Sequence, residues 1–385
     1  MTSDHQPASG TTRRDLLTAA TCGACALGMV GLITAPRAGH AHSPRKGFIG
    51  SRPSPWATPL DDGAVRCELC PRQCRLTAGQ RGPCRVREHR QGRLHTLAYG
   101  NPVLVQIDPV ERKPFLHVLP ASRALSISTA GCNMHCAFCE VWDMALVDPE
   151  EVHAYDMSPE TVVEQARNAE VAAISYAFGE PVVFYEYMAA TAALAKQAGL
   201  RNLLHSNGFI SKAPLDALAP YLDAVNIDLK GFSRSFYRDV CQGELAPVLE
   251  TLIRLKHHRI HVEITTILIP SLNDDMEQMA AMCQWIHEHL GPDTPLHLAR
   301  FYPLYRLRNL PPTPVATIER AREIAHAAGL RYVYVSRITG HEAENTFCPQ
   351  CRKRVIERTG FIVEAMHISD GTCDHCGAVI AGLWQ

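Results

Sequence analysis

The stretch Ala124-Leu-Ser-Ile-Ser-Thr-Ala-Gly-Cys-Asn-Met-His-Cys-Ala-Phe-Cys139 runs from a short apolar segment into a loop that carries three cysteines. Ala124–Thr129 has the length and apolarity of a buried strand, and Gly131 breaks it just before Cys132. Moving outward, the unit repeats. Val171–Phe178, Arg201–Ser206, Ala224–Leu229, His261–Ile267, Leu296–Phe301 and Tyr332–Val335 predict further strands. Helices fall between them. One opens at Ser158-Pro159-Glu160, with Ser158 as cap and Pro159 in the first helical position. Others cover 182–198, 245–257, 274–290 and 312–328, the last two closing near Gly291 and Gly329. Strands that alternate with helices require a parallel sheet joined by right-handed crossovers. The units are too few for a full eightfold ring. The predicted class is therefore α/β, a partial (β/α)6 TIM-type barrel over 122–340.

The flanks differ in kind. Residues 42–63 are rich in Pro, Ser, Gly and Arg and read as a linker, and 64–121 form a turn-rich, cysteine-bearing knob too poor in core to fold alone. Residues 341–385 return to cysteine pairs and short hairpins. The chain has 38 basic and 39 acidic residues among 385, and no basic run interleaved with aromatics, which excludes nucleic acid as an expected partner. Eleven of its fifteen cysteines fall into three groups: Cys67, Cys70, Cys74 and Cys84; Cys132, Cys136 and Cys139; Cys348, Cys351, Cys373 and Cys376. A disulfide framework belongs to small secreted domains, whereas thiolates two or three residues apart converge on a metal without straining the backbone. Cys241, following the Lys230 strand end, is expected near the barrel mouth, either as a hydrogen donor or as a packed apolar side chain, and Cys283 as packing on a helix.

The leader raises a conflict. Arg13-Arg14 precede a weakly apolar run that ends in small residues, with Ala41 placed for cleavage. This resembles a twin-arginine export signal over 1–41, the alternative being an uncleaved anchor or an inert extension. Contact with a membrane is expected only through such an uncleaved signal.

Cys132-x3-Cys136-x2-Cys139 supplies three thiolates for three irons of a cubane and leaves the fourth iron open; a zinc site short of one ligand is the alternative. In a parallel barrel the loops after the strands build the active site, and this loop follows the first strand. The motif resembles that of radical S-adenosylmethionine (SAM) enzymes. Further elements match at successive strand ends. Gly179-Glu180-Pro181, after Phe178 where the family has glycine, resembles the element that receives the SAM amino group. His205-Ser206-Asn207-Gly208 resembles the threonine-asparagine-glycine turn of pyruvate formate-lyase activating enzymes, and Asn226-Ile-Asp228-Leu-Lys230 resembles their aspartate-leucine-lysine strand end, which lies beside SAM. Leu268-Ile269-Pro270 resembles the segment packed on adenine, and His297 falls where such enzymes place a SAM-contacting histidine. The resemblance implies a [4Fe-4S] cluster that reductively cleaves SAM to a 5′-deoxyadenosyl radical for hydrogen abstraction. A flavodoxin- or ferredoxin-type reductant would serve it. SAM chemistry implies a cytoplasmic enzyme while the leader implies export. An exported iron–sulfur electron-transfer or metal-binding protein that kept the fold without catalysis is the rival reading.

From about 56 to 384 the chain resembles one branch more closely, the radical SAM member of the AmmeMemoRadiSam system, encoded with Memo-like and AMMECR1-like proteins as implied partners. The matching text includes Cys67-x2-Cys70-Pro71-x2-Cys74, Asp108-Pro-Val-Glu-Arg-Lys-Pro114, Leu268-Ile-Pro-Ser-Leu-Asn273 and Gly382-Leu-Trp384. Glu140, where the branch has an amide, adds a carboxylate beside the cluster. Cys348-x2-Cys351 and Cys373-x2-Cys376 match a four-thiolate zinc ribbon. The set Cys67, Cys70, Cys74 and Cys84 is open between zinc and an auxiliary cluster.

Overall fold

The parallel strands of the central sheet are buried on both faces along most of their length, as parallel strands covered by helices demand. The computed structural model describes residues 43–385; the leader expected over 1–41 lies outside the described residues. We number the central strands β1 (Leu104–Pro109), β2 (Arg123–Ser128), β3 (Ala173–Tyr176), β4 (Arg201–Ser206), β5 (Ala224–Asp228), β6 (His261–Leu268), β7 (Leu296–Arg300) and β8 (Val333–Ser336). Their spatial order is the sequence order, 8-7-6-5-4-3-2-1. Strands β2 to β8 pair in parallel, and β1 lies antiparallel on β2 at the edge, with Leu104 opposite Ser128 and Pro109 opposite Arg123. Six helices make the crossovers: α1 (Pro159–Asn168), α2 (Tyr185–Gln197), α3 (Lys212–Leu218), α4 (Leu245–His257), α5 (Met276–Leu290) and α6 (Val315–Ala327). The fold is mixed α/β. Six strand–helix units lead into the seventh parallel strand, and among the described residues no pairing joins β1 to β8.

The helix ends follow local chemistry. Ser158 Oγ accepts from Thr161 N at 3.3 Å at the start of α1, and Asp275 caps α5 by accepting from Gln278 N at 2.8 Å. Strand β1 and helix α3 go beyond the sequence expectation. The first is an edge strand with Ile107 exposed, so it lacks a buried run, and the second is short and carries Pro214 in its first turn. The stretch read as a linker is also tied down: Arg45–Lys46 pairs with His153–Ala154, Arg52–Pro53 with His95–Thr96, and Ala57–Pro59 with Val65–Cys67. Pro and Gly there mark turns between two- and three-residue strands. The knob packs onto the central sheet, with Leu69, Val86, Leu94 and Leu97 in the same core as Ile127 and Ile174. No helix among the described residues is long and apolar enough to cross a membrane.

A polar cluster lies against the inner face of the central sheet. Glu263 on β6 accepts from the backbone of Leu116 and His117 at 3.0 and 2.9 Å, and pairs with His297 at 2.6 Å and His261 at 3.3 Å. Burial alone would raise this carboxyl; the two histidines hold it well below its ordinary value. The C-terminal tail closes over the 110–121 segment, with Leu383 N donating to His117 O at 2.7 Å and Leu119 N to Leu383 O at 2.7 Å. Gly382 permits this approach, since a Cβ there would stand 2.7 Å from the His117 carbonyl.

Candidate functional site

Period-two alternation decides which side chains meet on the inner face of the central sheet. Asp228, Thr265, Ile267, His297 and Ala299 line a cavity of about 590 Å³, while Val225, Ile227, Ile264, Leu268 and Leu298 belong to the apolar core. The cavity also gathers Cys132, Cys136 and Cys139 from the β2 loop, Gly179 and Glu180 from the β3 end, and Ser206 and Asn207 from the β4 end, with Lys230 after β5. Three expected residues stand apart from it. Pro181 begins a buried 3-10 turn, and Leu268 and Ile269 are buried, with Ile269 N donating to Asn273 Oδ1 at 2.6 Å. Asn273 Nδ2 also donates to Lys230 O at 2.7 Å and Ile267 O at 2.8 Å, which latches the ends of β5 and β6 together.

The cysteine loop is held from three sides. His135 N donates to Cys241 O at 3.0 Å, and Ala137 N to Val240 O at 2.8 Å. Asn133 Nδ2 donates to Phe209 O at 2.7 Å, and Asn207 Nδ2 donates to Asn133 Oδ1 at 2.9 Å. Gly131 has φ +100°, and a Cβ there would stand 2.7 Å from Cys84 O, so only glycine fits. Burial pushes the Cys139 thiol up to about 11 and holds the Cys132 thiol well above its ordinary value. Metal binding removes such protons, because the ligand is the thiolate. Cys241 is fully buried behind Cys136 and does not line the cavity; Cys283 is packed within α5.

Around the thiols sits a fixed polar frame. Glu180 is 4% exposed; its Oε1 accepts from Ser206 Oγ at 2.7 Å and Val182 N at 3.0 Å, and its Oε2 from Asn207 N at 2.8 Å. Burial raises its carboxyl, against those hydrogen bonds. Asp228 is held between His205 Nε2 at 2.9 Å and Lys230 Nζ at 3.0 Å. Burial opposes its charge, yet Lys230 and His205 keep the carboxyl well below the ordinary range. Phe178 occupies the left-handed region at φ +70°, so its backbone does what glycine would do, at a cost of about 1 kcal/mol. Its ring lies 4.4 Å from Lys113 Nζ, a cation–π contact that offsets part of that strain. Glu140 is paired with Arg337, with Oε2 to Nη2 at 2.6 Å, so its charge is compensated. Sequence reasoning missed Arg337 and Thr265 as cavity residues, and quoted His205 and Lys113 within motifs without giving either a role; for Arg337 and Thr265 only strand position and alternation could have served as a signal.

The two outer cysteine sets differ in size. Cys348 and Cys376 sulfurs are 3.6 Å apart, and Cys351 and Cys373 sulfurs 3.8 Å. A tetrahedral ion with bonds of about 2.3 Å separates its sulfurs by about 3.8 Å. All four lie within 4.8 Å of one another, and among the described residues they are the one such set. A single metal ion therefore fits there. The Cys132, Cys136 and Cys139 sulfurs are not drawn in to that span, which suits the larger body of a cubane.

Comparison with known proteins agrees with this chemistry. Residues 126–283 match the model of the Radical SAM superfamily. The uncharacterized protein MJ0808 of Methanocaldococcus jannaschii is 41% identical over 323 residues, covering 83% of this chain and 96% of that one. A pyruvate formate-lyase-activating enzyme of Listeria monocytogenes is 24% identical over 168 residues, covering 40% of this chain and 66% of that one. Among solved structures, a radical SAM methyltransferase from Sphaerobacter thermophilus aligns at TM-score 0.43 and 17% identity over 57% of this chain and 70% of that one. A domain of a pyruvate-formate lyase-activating enzyme from Bacteroides vulgatus aligns at 0.38 and 16% over 43% and 99%. The chain carries a radical SAM domain over residues 126–283, with homology to pyruvate formate-lyase activating enzymes.

Proposed function

We propose that this chain is a radical SAM enzyme in which Cys132, Cys136 and Cys139 hold a [4Fe-4S] cluster with one open iron. The group, when bound and reduced, supplies the electron that cleaves SAM to a 5′-deoxyadenosyl radical. One observation carries the reading: three thiols, a buried carboxylate and a fixed Asp–Lys pair share one cavity of about 590 Å³. Glu180 has one lone pair on Oε2 unspent after its three hydrogen bonds, enough to accept from the SAM ammonium. Asp228 and Lys230 present a fixed acceptor and a fixed cation to the remaining polar groups of SAM. Phe138, Ile267, Ala299 and Val335 supply apolar wall that excludes water from a radical.

The abstracted hydrogen would come from a substrate C–H, in the activating-enzyme version a glycine Cα–H of a partner protein. Memo-like and AMMECR1-like proteins are the partners that the branch resemblance nominates, with a flavodoxin- or ferredoxin-type reductant. The C-terminal four-cysteine site takes zinc. The rival, an exported electron-transfer or metal-binding protein, draws on the leader and on Phe178 and Glu140. Both departures are accommodated: Phe178 by a left-handed backbone and Glu140 by Arg337. To test the choice, the protein is purified anaerobically, reduced with dithionite and given SAM. Formation of 5′-deoxyadenosine is expected; its absence with an intact cluster would favour the rival.

A further inference from the structure

We infer that Cys67, Cys70, Cys74 and Cys84 hold a second, fully ligated [4Fe-4S] cluster, through which the electron enters on its way to the Cys132 loop. The reasoning starts from a contrast inside one molecule. The four C-terminal thiols have contracted to the span of a single ion, with sulfurs 3.6 and 3.8 Å apart. The four N-terminal thiols have not. All four line one cavity of about 20 Å³, room for roughly one water-sized body. A tetrahedral zinc with bonds of about 2.3 Å leaves no such space between its sulfurs. A cubane carries its four thiolates on the corners of a much larger body, and its spread leaves a central hollow when only the sulfurs are counted.

A second observation comes from the walls. Arg87 is 2% exposed and lines this cavity. Its Nη1 and Nη2 donate to the Glu186 carboxylate at 2.6 and 2.7 Å, and Nη2 also to Val183 O at 3.0 Å. Its buried Nε has no partner. An unspent buried donor costs about 1–3 kcal/mol unless something accepts from it, and sulfurs of an anionic cluster would. Leu69, Leu76, Val182 and Val183 complete a wall that would shield such a cluster from water.

Position supplies the role. Asn133, which follows Cys132 directly, lines the four-cysteine cavity, and Arg72 Nε donates to its carbonyl at 2.7 Å. Cys84 O lies so close to Gly131 that a Cβ there would meet it at 2.7 Å. The N-terminal set therefore adjoins the backbone of the Cys132 loop at Gly131 and Asn133. With four protein thiolates the N-terminal cluster has no open iron, so it cannot bind SAM. A one-electron donor of the flavodoxin or ferredoxin class would reduce it from the 2+ to the 1+ state. That electron would then pass to the open-iron cluster, returning the first to 2+ with no bond made or broken.

The test is a metal count on the full wild-type chain, as isolated and after anaerobic reconstitution, with Mössbauer spectra. About eight irons, about eight sulfides and about one zinc per chain are expected. About four irons, with or without a second zinc, would overturn the assignment. For the relay, Cys70→Ser with Cys74→Ser should lose the second cluster. The remaining cluster should still change its EPR signal on adding SAM, and dithionite should still drive cleavage, while cleavage driven by reduced flavodoxin falls to background. Unchanged flavodoxin-driven cleavage would remove the relay role. The proposal builds on the function proposed above, yet the two fail separately, because dithionite-driven 5′-deoxyadenosine reads one and the wild-type metal count reads the other.

Discussion

Replacing Glu180 by glutamine should cost this chain most of its grip on SAM while leaving the cluster in place. The carboxylate now accepts three hydrogen bonds, from Ser206 Oγ, Val182 N and Asn207 N, at 2.7, 3.0 and 2.8 Å. Donors occupy both oxygens, so either orientation of a glutamine amide turns its NH2 toward a donor. One N–H or O–H is left unpaired, at about 1–3 kcal/mol. A charge-assisted bond to the SAM ammonium is weakened in addition, which is worth about 1.5–3 kcal/mol. The second quantity alone weakens binding by roughly 10- to 150-fold. The first should lower thermal stability by a few degrees. SAM affinity by equilibrium dialysis on anaerobic, iron-counted protein is the direct assay, with uncoupled 5′-deoxyadenosine formation beside it. If Glu180→Gln binds SAM as tightly as wild type at equal iron content, Glu180 does not receive the ammonium and the cavity is oriented wrongly in our account.

Three further outcomes follow from the packing. Gly131→Ala forces a side chain into φ +100° and against Cys84 O, and should destabilise by about 2–4 kcal/mol and lower iron retention, read by urea unfolding and iron assay. Glu263→Gln breaks a buried network and should cost about 3–5 kcal/mol. Because the folded carboxyl lies below its ordinary 4.5, its contribution is present above that pH and lost as pH falls through the folded value. The wild-type acid limb should therefore be steeper than that of Glu263→Gln, and equal limbs would remove Glu263 as the cause. Stripping metal from the C-terminal site with a chelator should loosen the 341–385 tail, whose Leu383 bonds to His117 and Leu119, and raise its protease sensitivity without removing iron from the Cys132 loop.

Much of the architecture was legible in the sequence because its signals are local. Strand length, apolar runs, Ser158-Pro159 and the strand–helix alternation required a parallel sheet, and the observed sheet has it. Strand β1 was not legible, since an edge strand with one wet face carries no buried run. Nor were the two-residue strands of 45–59, whose pairing partners lie as far away as His153. At the site, the cysteine spacing singled out Cys132, Cys136 and Cys139, which the fold brings to one cavity. The Leu268-Ile269 text, however, gave no sign that alternation turns Leu268 away from the cavity while Ile267 faces it.

What the amino-acid sequence determined alone was chemistry written in short range: three thiolates within eight residues, two CxxC pairs, a glycine where no side chain fits. Tertiary structure decided everything that depends on distance between segments remote in the chain. It drew the C-terminal thiols to the span of one ion, left the N-terminal four lining one small cavity, and paired Glu140 with Arg337 across nearly two hundred residues. The physical reason is that spacing along a chain sets which ligands are available, whereas packing sets the size of the body they surround and the charge they feel.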